Sequence, residues 1–183
     1  FGDYSGGCFC LMLKKHVAVF DVDGTLLDGD SLLLAARHSI QGFQKIFAWL
    51  CLLPWYIGFQ LKFVSAARLK EAFLRLFSVC RIVNHARERL LLDDLIGCLR
   101  PEALDRLLWH KSQGHKVVLC SASPRIVLQS LADLLGVDLV CTELIGRPGE
   151  WQPKLLGSNC KGVEKVRRLT NHLGPFENLF IES

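Results

Sequence analysis

Two carboxylates stand one residue apart in this chain, Asp21 and Asp23, followed at once by Gly24 and Thr25. They close a short apolar run, His16-Val17-Ala18-Val19-Phe20. Two acids so close repel each other, so the pair is costly unless a cation or a reaction makes use of it. Two residues apart on an extended strand, both would project to the same side. Gly24 lets the chain turn sharply straight after them.

Stepping outward, the run before Asp21 reads as a buried strand of a parallel sheet, because it is short, rich in Val and Phe and bounded by turn residues. In open parallel sheets, ligands bind outside the carboxyl ends of the strands. A second apolar strand, His115 to Cys120, ends in Ser121-Ala122-Ser123-Pro124. Read alone, that segment is a strand-to-helix turn with a serine cap. An amphipathic helix is expected over 125–135, closed by Gly136, then a third strand over 137–141. The stretch 144–151 reads as a hairpin or flap with a Pro148-Gly149 turn. A helix follows over 163–173. Pro175 interrupts the chain before a fourth strand, 178–181, which ends in Glu182-Ser183.

From Leu32 to about Gly97 the pattern is helical almost throughout, and Pro101 opens a further helix that runs to about Ser112 and stops at Gln113-Gly114. Asp28-Gly29-Asp30-Ser31 is a turn and helix cap. Leu32, Leu33, Ala36 and Ile40 keep helical spacing, and so do Lys70, Phe73, Leu74 and Phe77. Within this block, Ile46 to Leu61 carries no charge and includes Trp49, Pro54, Trp55 and Tyr56. Three readings compete for it: a buried helical hairpin, which the sequence favours, a surface that dips into a membrane, and a true span. Sixteen residues fall short of the roughly 18–20 a span needs, and Pro54 would kink a helix. Lys45 and Lys62 bracket the segment, and its Trp and Tyr residues suit either a lipid boundary or a substrate pocket.

The Asp21-Val22-Asp23-Gly24-Thr25 motif resembles the first motif of the haloacid dehalogenase (HAD) superfamily. The helical insertion after the first strand is similar to the cap of its phosphoserine phosphatase-like branch, and the overall pattern is also similar to its phosphatidylglycerophosphate phosphatase-like members. The resemblance implies an α/β fold, a Rossmannoid parallel sheet with an inserted helical cap. It implies a core over 12–29 and 99–183 and a cap over 30–98. Residues 1–11, which precede the only methionine, Met12, and show neither a helical nor a strand period, read as a non-native or disordered leader. A chain stopping straight after a strand also reads as C-terminally incomplete.

The same resemblance implies a phosphomonoester hydrolase working through an aspartyl-phosphate. Asp21 would be the nucleophile and Asp23 the general acid/base, with Gly24 and Thr25 near the phosphate. Ser121 and the backbone N–H of Ala122 would hold the phosphoryl group. Lys161, in Asn159-Cys160-Lys161-Gly162, would neutralise the nucleophile–phosphate pair, with Lys165 and Lys154 as competing choices. Mg²⁺ would bind Asp21, Asp23 and a third anchor at the fourth strand's tip. That anchor is usually an Asp; here it is Glu182, whose extra methylene shifts the oxygen outward, and Mg²⁺ is strict about geometry. A catalytically impaired phosphate-binding module, or a truncated fragment of such a phosphatase, is the alternative.

Composition narrows the partners. Half of the 183 residues are apolar and 22% are charged, as in a globular chain. The net charge of +4 is mild and scattered, so nucleic acid is not implied. The expected substrate is a small-molecule or lipid phosphomonoester, with a peripheral membrane contact through 46–61. Eight cysteines in no Cys-x-x-Cys spacing read as reduced thiols in a cytoplasmic protein, at most associated with the inner membrane surface, and not as a zinc site.

Overall fold

The computed structural model describes residues 16–40, 42–81, 85–147, 150–174 and 178–182. The expected leader over 1–11, the start of the core at 12–15, the Pro148-Gly149 turn, Pro175 and Ser183 lie outside the described residues.

Strand β1 (His16–Asp21) is followed by four helices, α1 (Ser31–Ser39), α2 (Phe43–Gln60), α3 (Ala66–Leu76) and α4 (His85–Gly97), before the chain returns to the sheet. Helix α5 (Pro101–Ser112) then leads to β2 (Lys116–Pro124), α6 (Arg125–Leu135), β3 (Asp138–Thr142), α7 (Val163–Leu173) and β4 (Asn178–Glu182). The four strands form one parallel sheet in the order β3-β2-β1-β4. The chain winds outward from β1 to β3 and then crosses to the far side of β1. The tip of β1 is therefore where the winding reverses, the place where such sheets open a crevice.

Strands β1, β2 and β3 are apolar along their length because both faces are covered, whereas the edge strand β4 leaves Leu179 and Ile181 exposed. On one face Ala18, Phe20, Val117 and Leu119 pack with Leu128 and Leu131 of α6 and with the inserted helices. On the other, Val17, Val19, Val118, Cys120 and Val140 pack with Cys160 and with Leu173 of α7. Alternation thus assigns each strand residue a face, and with it the helices its side chain can reach.

Sequence signals set the ends of these helices. Asp30 caps α1 by accepting from the N–H groups of Leu32 and Leu33, and Pro101 opens α5 at a first-turn position. Gly136 closes α6 with φ of 61°, a left-handed cap that suits a residue without Cβ. The inserted helices are anchored to the core by α1 and α4, which lie against α6. The six described cysteines 51, 80, 98, 120, 141 and 160 are free thiols.

The apolar stretch 46–61 departs from the favoured expectation. It is one continuous helix, with Pro54 inside it, and not a buried hairpin. Only Ala48 and Leu52 of α2 are buried. Among the described residues, no helix is long and apolar enough to cross a membrane.

Candidate active site

Asp21 is the last residue of β1 and shares the face of Val17 and Val19, which looks toward α7. The Lys165 ammonium lies 3.0 Å from Asp21 Oδ1, and the N–H of Val22 donates to the same oxygen at 2.9 Å. Helix α7 delivers Lys165 because its first turns are pinned. Arg168 donates to the carbonyls of Cys141 and Ser158, both at 2.7 Å. Glu164 binds Arg167 and Arg168 in turn, and those two hydrogen bonds hold its carboxyl down to about 2.

Asp23 lies beyond the strand, in a turn closed by Leu26 N–H to Asp21 O at 3.3 Å and Leu27 N–H to Val22 O at 2.9 Å. Gly24 sustains that turn with φ of 81°. Strand alternation therefore stops governing at Asp21, and the two carboxylates meet different partners. Asp23 Oδ1 accepts the N–H of Ser31 at 2.8 Å. Its Oδ2 accepts the hydroxyls of Ser121 at 2.9 Å and Ser123 at 3.2 Å. Ser31 donates its hydroxyl to Ser123 at 2.8 Å, and the Ser123 N–H donates to Ser121 Oγ at 2.9 Å. The Ser121–Pro124 end of β2 is thereby locked onto the first strand's turn.

Among the sequence-derived candidates, Asp21, Asp23, Gly24, Thr25, Ser121 and Ala122 fall at the adjacent tips of β1 and β2, whose register sets Asp21 beside Cys120. The ammonium that reaches Asp21 belongs to Lys165, whereas Lys161 is exposed in the turn before α7, its backbone N–H bonded to Asn159 O at 2.8 Å. The physical reason is that α7 begins at Val163, so Lys165 sits on its first turn beside the sheet while Lys161 precedes it. Lys154 lies in the flap paired through Leu144 and Leu155.

Glu182 stands opposite Phe20 in the β1–β4 register, and so on the face away from Asp21. Its Oε1 accepts from Arg106 Nε at 3.0 Å and stands 3.3 Å from His110 Nε2. Burial works to raise its carboxyl, but these two partners hold it below the usual range. The third metal anchor read from the sequence is thus directed at α5. Among the described residues, no three His, Cys, Asp or Glu side chains come together as a metal site.

Several contributors were not singled out from the sequence: Ser31, Lys70, Ser123, Thr142 and Asn159. Ser123 and Asn159 sit within stretches that drew attention for their neighbours. Lys70 drew notice only as part of a helical period, since nothing in a sequence of helical spacing tells which lysine faces the core.

A second feature lies on the inserted helices, where α2 packs against α3. Helix α2 leaves Phe43, Phe47, Leu50, Leu53 and Trp55 in solvent, with Phe43 90% and Phe47 67% exposed. Residues 31–70 contain no Asp or Glu but include Arg37, Lys45, Lys62, Arg68 and Lys70.

This fold, with two carboxylates at the tip of the first of four parallel strands and a helical insertion behind them, belongs to the haloacid dehalogenase-like hydrolases, whose family pattern the chain matches over residues 18–178. Among curated proteins it is similar to Protein CicA of Caulobacter vibrioides, 31% identical over 165 residues that cover 87% of this chain and 73% of the relative. Among solved structures it resembles a protein of unknown function from Bordetella pertussis Tohama I, with a TM-score of 0.75 and 23% identity over 92% of this chain and 81% of that one. A substrate-bound phosphoserine phosphatase complex shares the fold at a TM-score of 0.54 and 19% identity, over 92% of this chain and 77% of that one.

Proposed function

We propose that the chain is a phosphomonoester hydrolase that works through an aspartyl-phosphate on Asp21. The observation that carries the reading is the Asp21 carboxylate at a strand tip, 3.0 Å from the Lys165 ammonium, with the Asp23–Ser121–Ser123 cluster on the adjoining strand end. A carboxylate attacking an anionic phosphate needs nearby positive charge, and Lys165 supplies it. Helix α6 starts directly after Pro124 and no side chain caps it, so the positive end of its dipole lies at the tip of β2, where an anion is favoured.

In the first step an oxygen of Asp21 attacks phosphorus and the P–O bond to the alcohol breaks, with Asp23 giving the leaving oxygen its proton. In the second, Asp23 takes a proton from water, the resulting hydroxide attacks phosphorus, and the bond to Asp21 breaks to release phosphate. Lys165 faces the oxygens that gain charge in both steps, and Ser121 orients Asp23.

The family resemblance implies Mg²⁺. Asp21 and the backbone carbonyl of Asp23 are at the strand tip, but Glu182 is held by Arg106 and His110 on the other face. The described residues do not present a complete shell for that ion.

For the substrate we propose a phosphate carried on a lipid head group, with residues 30–98 acting as a cap and α2 resting on an anionic membrane surface. The support is α2's exposed aromatic and aliphatic side chains, together with an acid-free stretch that carries Arg37, Lys45, Lys62 and Arg68 besides the inward-turned Lys70. A small soluble phosphomonoester such as phosphoserine is the competing substrate.

Phosphate release from both substrate types, with and without Mg²⁺, tests this. Asp21→Asn is expected to cut turnover at least about 10³-fold, as for loss of a nucleophile. Full activity in that variant would remove the mechanism. Flotation with vesicles containing anionic lipid tests the surface, and a chain that stays with the soluble fraction at every lipid concentration would remove it.

A further inference from the structure

Besides Ser31 at the start of α1, the inserted helices reach the site through Lys70 of α3. Its Nζ donates to the carbonyl of Ala122 at 2.7 Å and to Asn159 Oδ1 at 2.6 Å. The Thr142 hydroxyl sits between the same two acceptors, 2.6 Å from Ala122 O and 2.9 Å from Asn159 Oδ1, and accepts the N–H of Cys160 at 3.0 Å. Four segments therefore close into one ring: the helical insertion, the end of β2, the end of β3 and the approach to α7.

What this ring holds is the Ala122–Ser123 peptide. Its carbonyl is taken by Lys70 and Thr142, and its N–H by Ser121 Oγ at 2.9 Å. With both ends of the peptide fixed, the hydroxyls of Ser121 and Ser123 point at Asp23. The same lysine steadies Asn159, which leads into the turn that starts α7 and delivers Lys165. Burial pulls the Lys70 ammonium down to about 8, opposed by the nearby Asp23 and Asp30 and assisted by Lys161. A buried cation costs free energy unless its hydrogen bonds are kept, so the insertion favours the placement that keeps both.

We propose that Lys70 is a positioning residue: the latch by which the helical insertion, when seated, sets the Ser121–Pro124 turn and the approach to α7 in their working geometry. The proposal rests on the reading of that turn as the phosphoryl cradle. It assigns Lys70 no contact with substrate. Its loss should therefore lower turnover more than apparent substrate binding, and should act through the same element as Thr142.

Two variants and their combination test it, Lys70→Met and Thr142→Val, chosen to keep side-chain volume. With p-nitrophenyl phosphate as substrate, each single variant is expected to lower kcat about 10- to 100-fold with KM within about 3-fold, and the double variant to be no worse than the weaker single, because both act on one peptide. A raised KM with unchanged kcat, or losses that multiply, would overturn the latch. Amide hydrogen exchange supplies the reading that does not need activity. Lys70→Met should speed exchange at Ser123 about 10-fold or more while Val118 and Leu119 in mid-strand stay protected. Unchanged exchange at Ser123 would overturn the proposal. Wild-type protein that shows no turnover, together with faster exchange in Lys70→Met, would count against the hydrolase reading and leave the latch standing.

Discussion

The tip of the sheet and helix α2 solve opposite problems. At the tip, polar groups are packed close and every one that is buried finds a partner: among the described residues, no buried side-chain nitrogen or oxygen lacks a hydrogen bond. On α2 polar side chains are few and most of the apolar ones stay in water. The first arrangement stabilises the fold only if complete, since removing one partner strands the others. The second contributes little to the fold, since side chains that remain wet gain nothing from burial. A region that folding does not explain is the one to examine for a partner, and for α2 the proposed partner is a lipid surface.

Helix α2 itself contains both situations. Leu52 and Leu53 are neighbours, one 7% exposed and part of the main core, the other 52% exposed. Leu52→Ala should cost about 2–5 kcal/mol through lost burial and a cavity. Leu53→Ala should stay within about 0.5 kcal/mol. Urea denaturation measures both. Equal losses would mean that α2 is covered on both faces in the free protein, and the contrast with the sheet tip would fail. Vesicle flotation should show the reverse order, with Leu53→Ala the more damaging.

At the tip the expected loss is smaller but spreads further. Ser123→Ala removes a donor from Asp23 and an acceptor from Ser31, which are tied through it at 3.2 and 2.8 Å. A cost of about 1–3 kcal/mol is expected, the range for a buried partner left unsatisfied. Ser112→Ala, which removes an exposed hydroxyl at the end of α5, is the control and should lie within about 0.5 kcal/mol. If both behave alike, the network around Asp23 is not the completed arrangement described.

How much of this was legible follows from the same contrast. The strands, the ends of α5, α6 and α7, and the Asp21-x-Asp23 pair announce themselves through short-range rules of apolar runs, caps and turn glycines. Reach was harder to read. Lys161 and Lys165 are one turn apart, and only the start of α7 at Val163 decides which meets Asp21. The family resemblance points Glu182 at the metal, but the strand's register sets its side chain opposite Phe20 and so toward α5. Strand alternation puts Asp23 on Asp21's side, but β1 and that rule end at Asp21. The hairpin expected for 46–61 rested on the premise that an uncharged run is buried, and an apolar surface that meets an external partner breaks that premise.

The smallest expected effect concerns the support beneath Lys165. Glu164 ties Arg167 and Arg168, and Arg168 pins α7 to Cys141 and Ser158. Its carboxyl is held down to about 2 from an ordinary 4.5, first by Arg167 and then by Arg168. The sign follows from proton counting. Between those two values the unfolded chain binds the proton and the folded chain does not, so stability rises with pH across the window. The contribution is therefore complete above about pH 4.5 and is lost as pH falls toward 2. Glu164→Gln should lower the thermal midpoint by a degree or two near neutral pH, about what an exposed pair supplies, and the gap to wild type should close on acidification. Added salt should narrow it as well, because solvent screens these charges. Helix α2 has no acid and no such pair, so the same titration of Leu53→Ala should show no pH-dependent gap. A Glu164→Gln difference that persists unchanged at pH 2 would mean the side chain acts through packing, and the first turn of α7 would then be held by Arg168 alone.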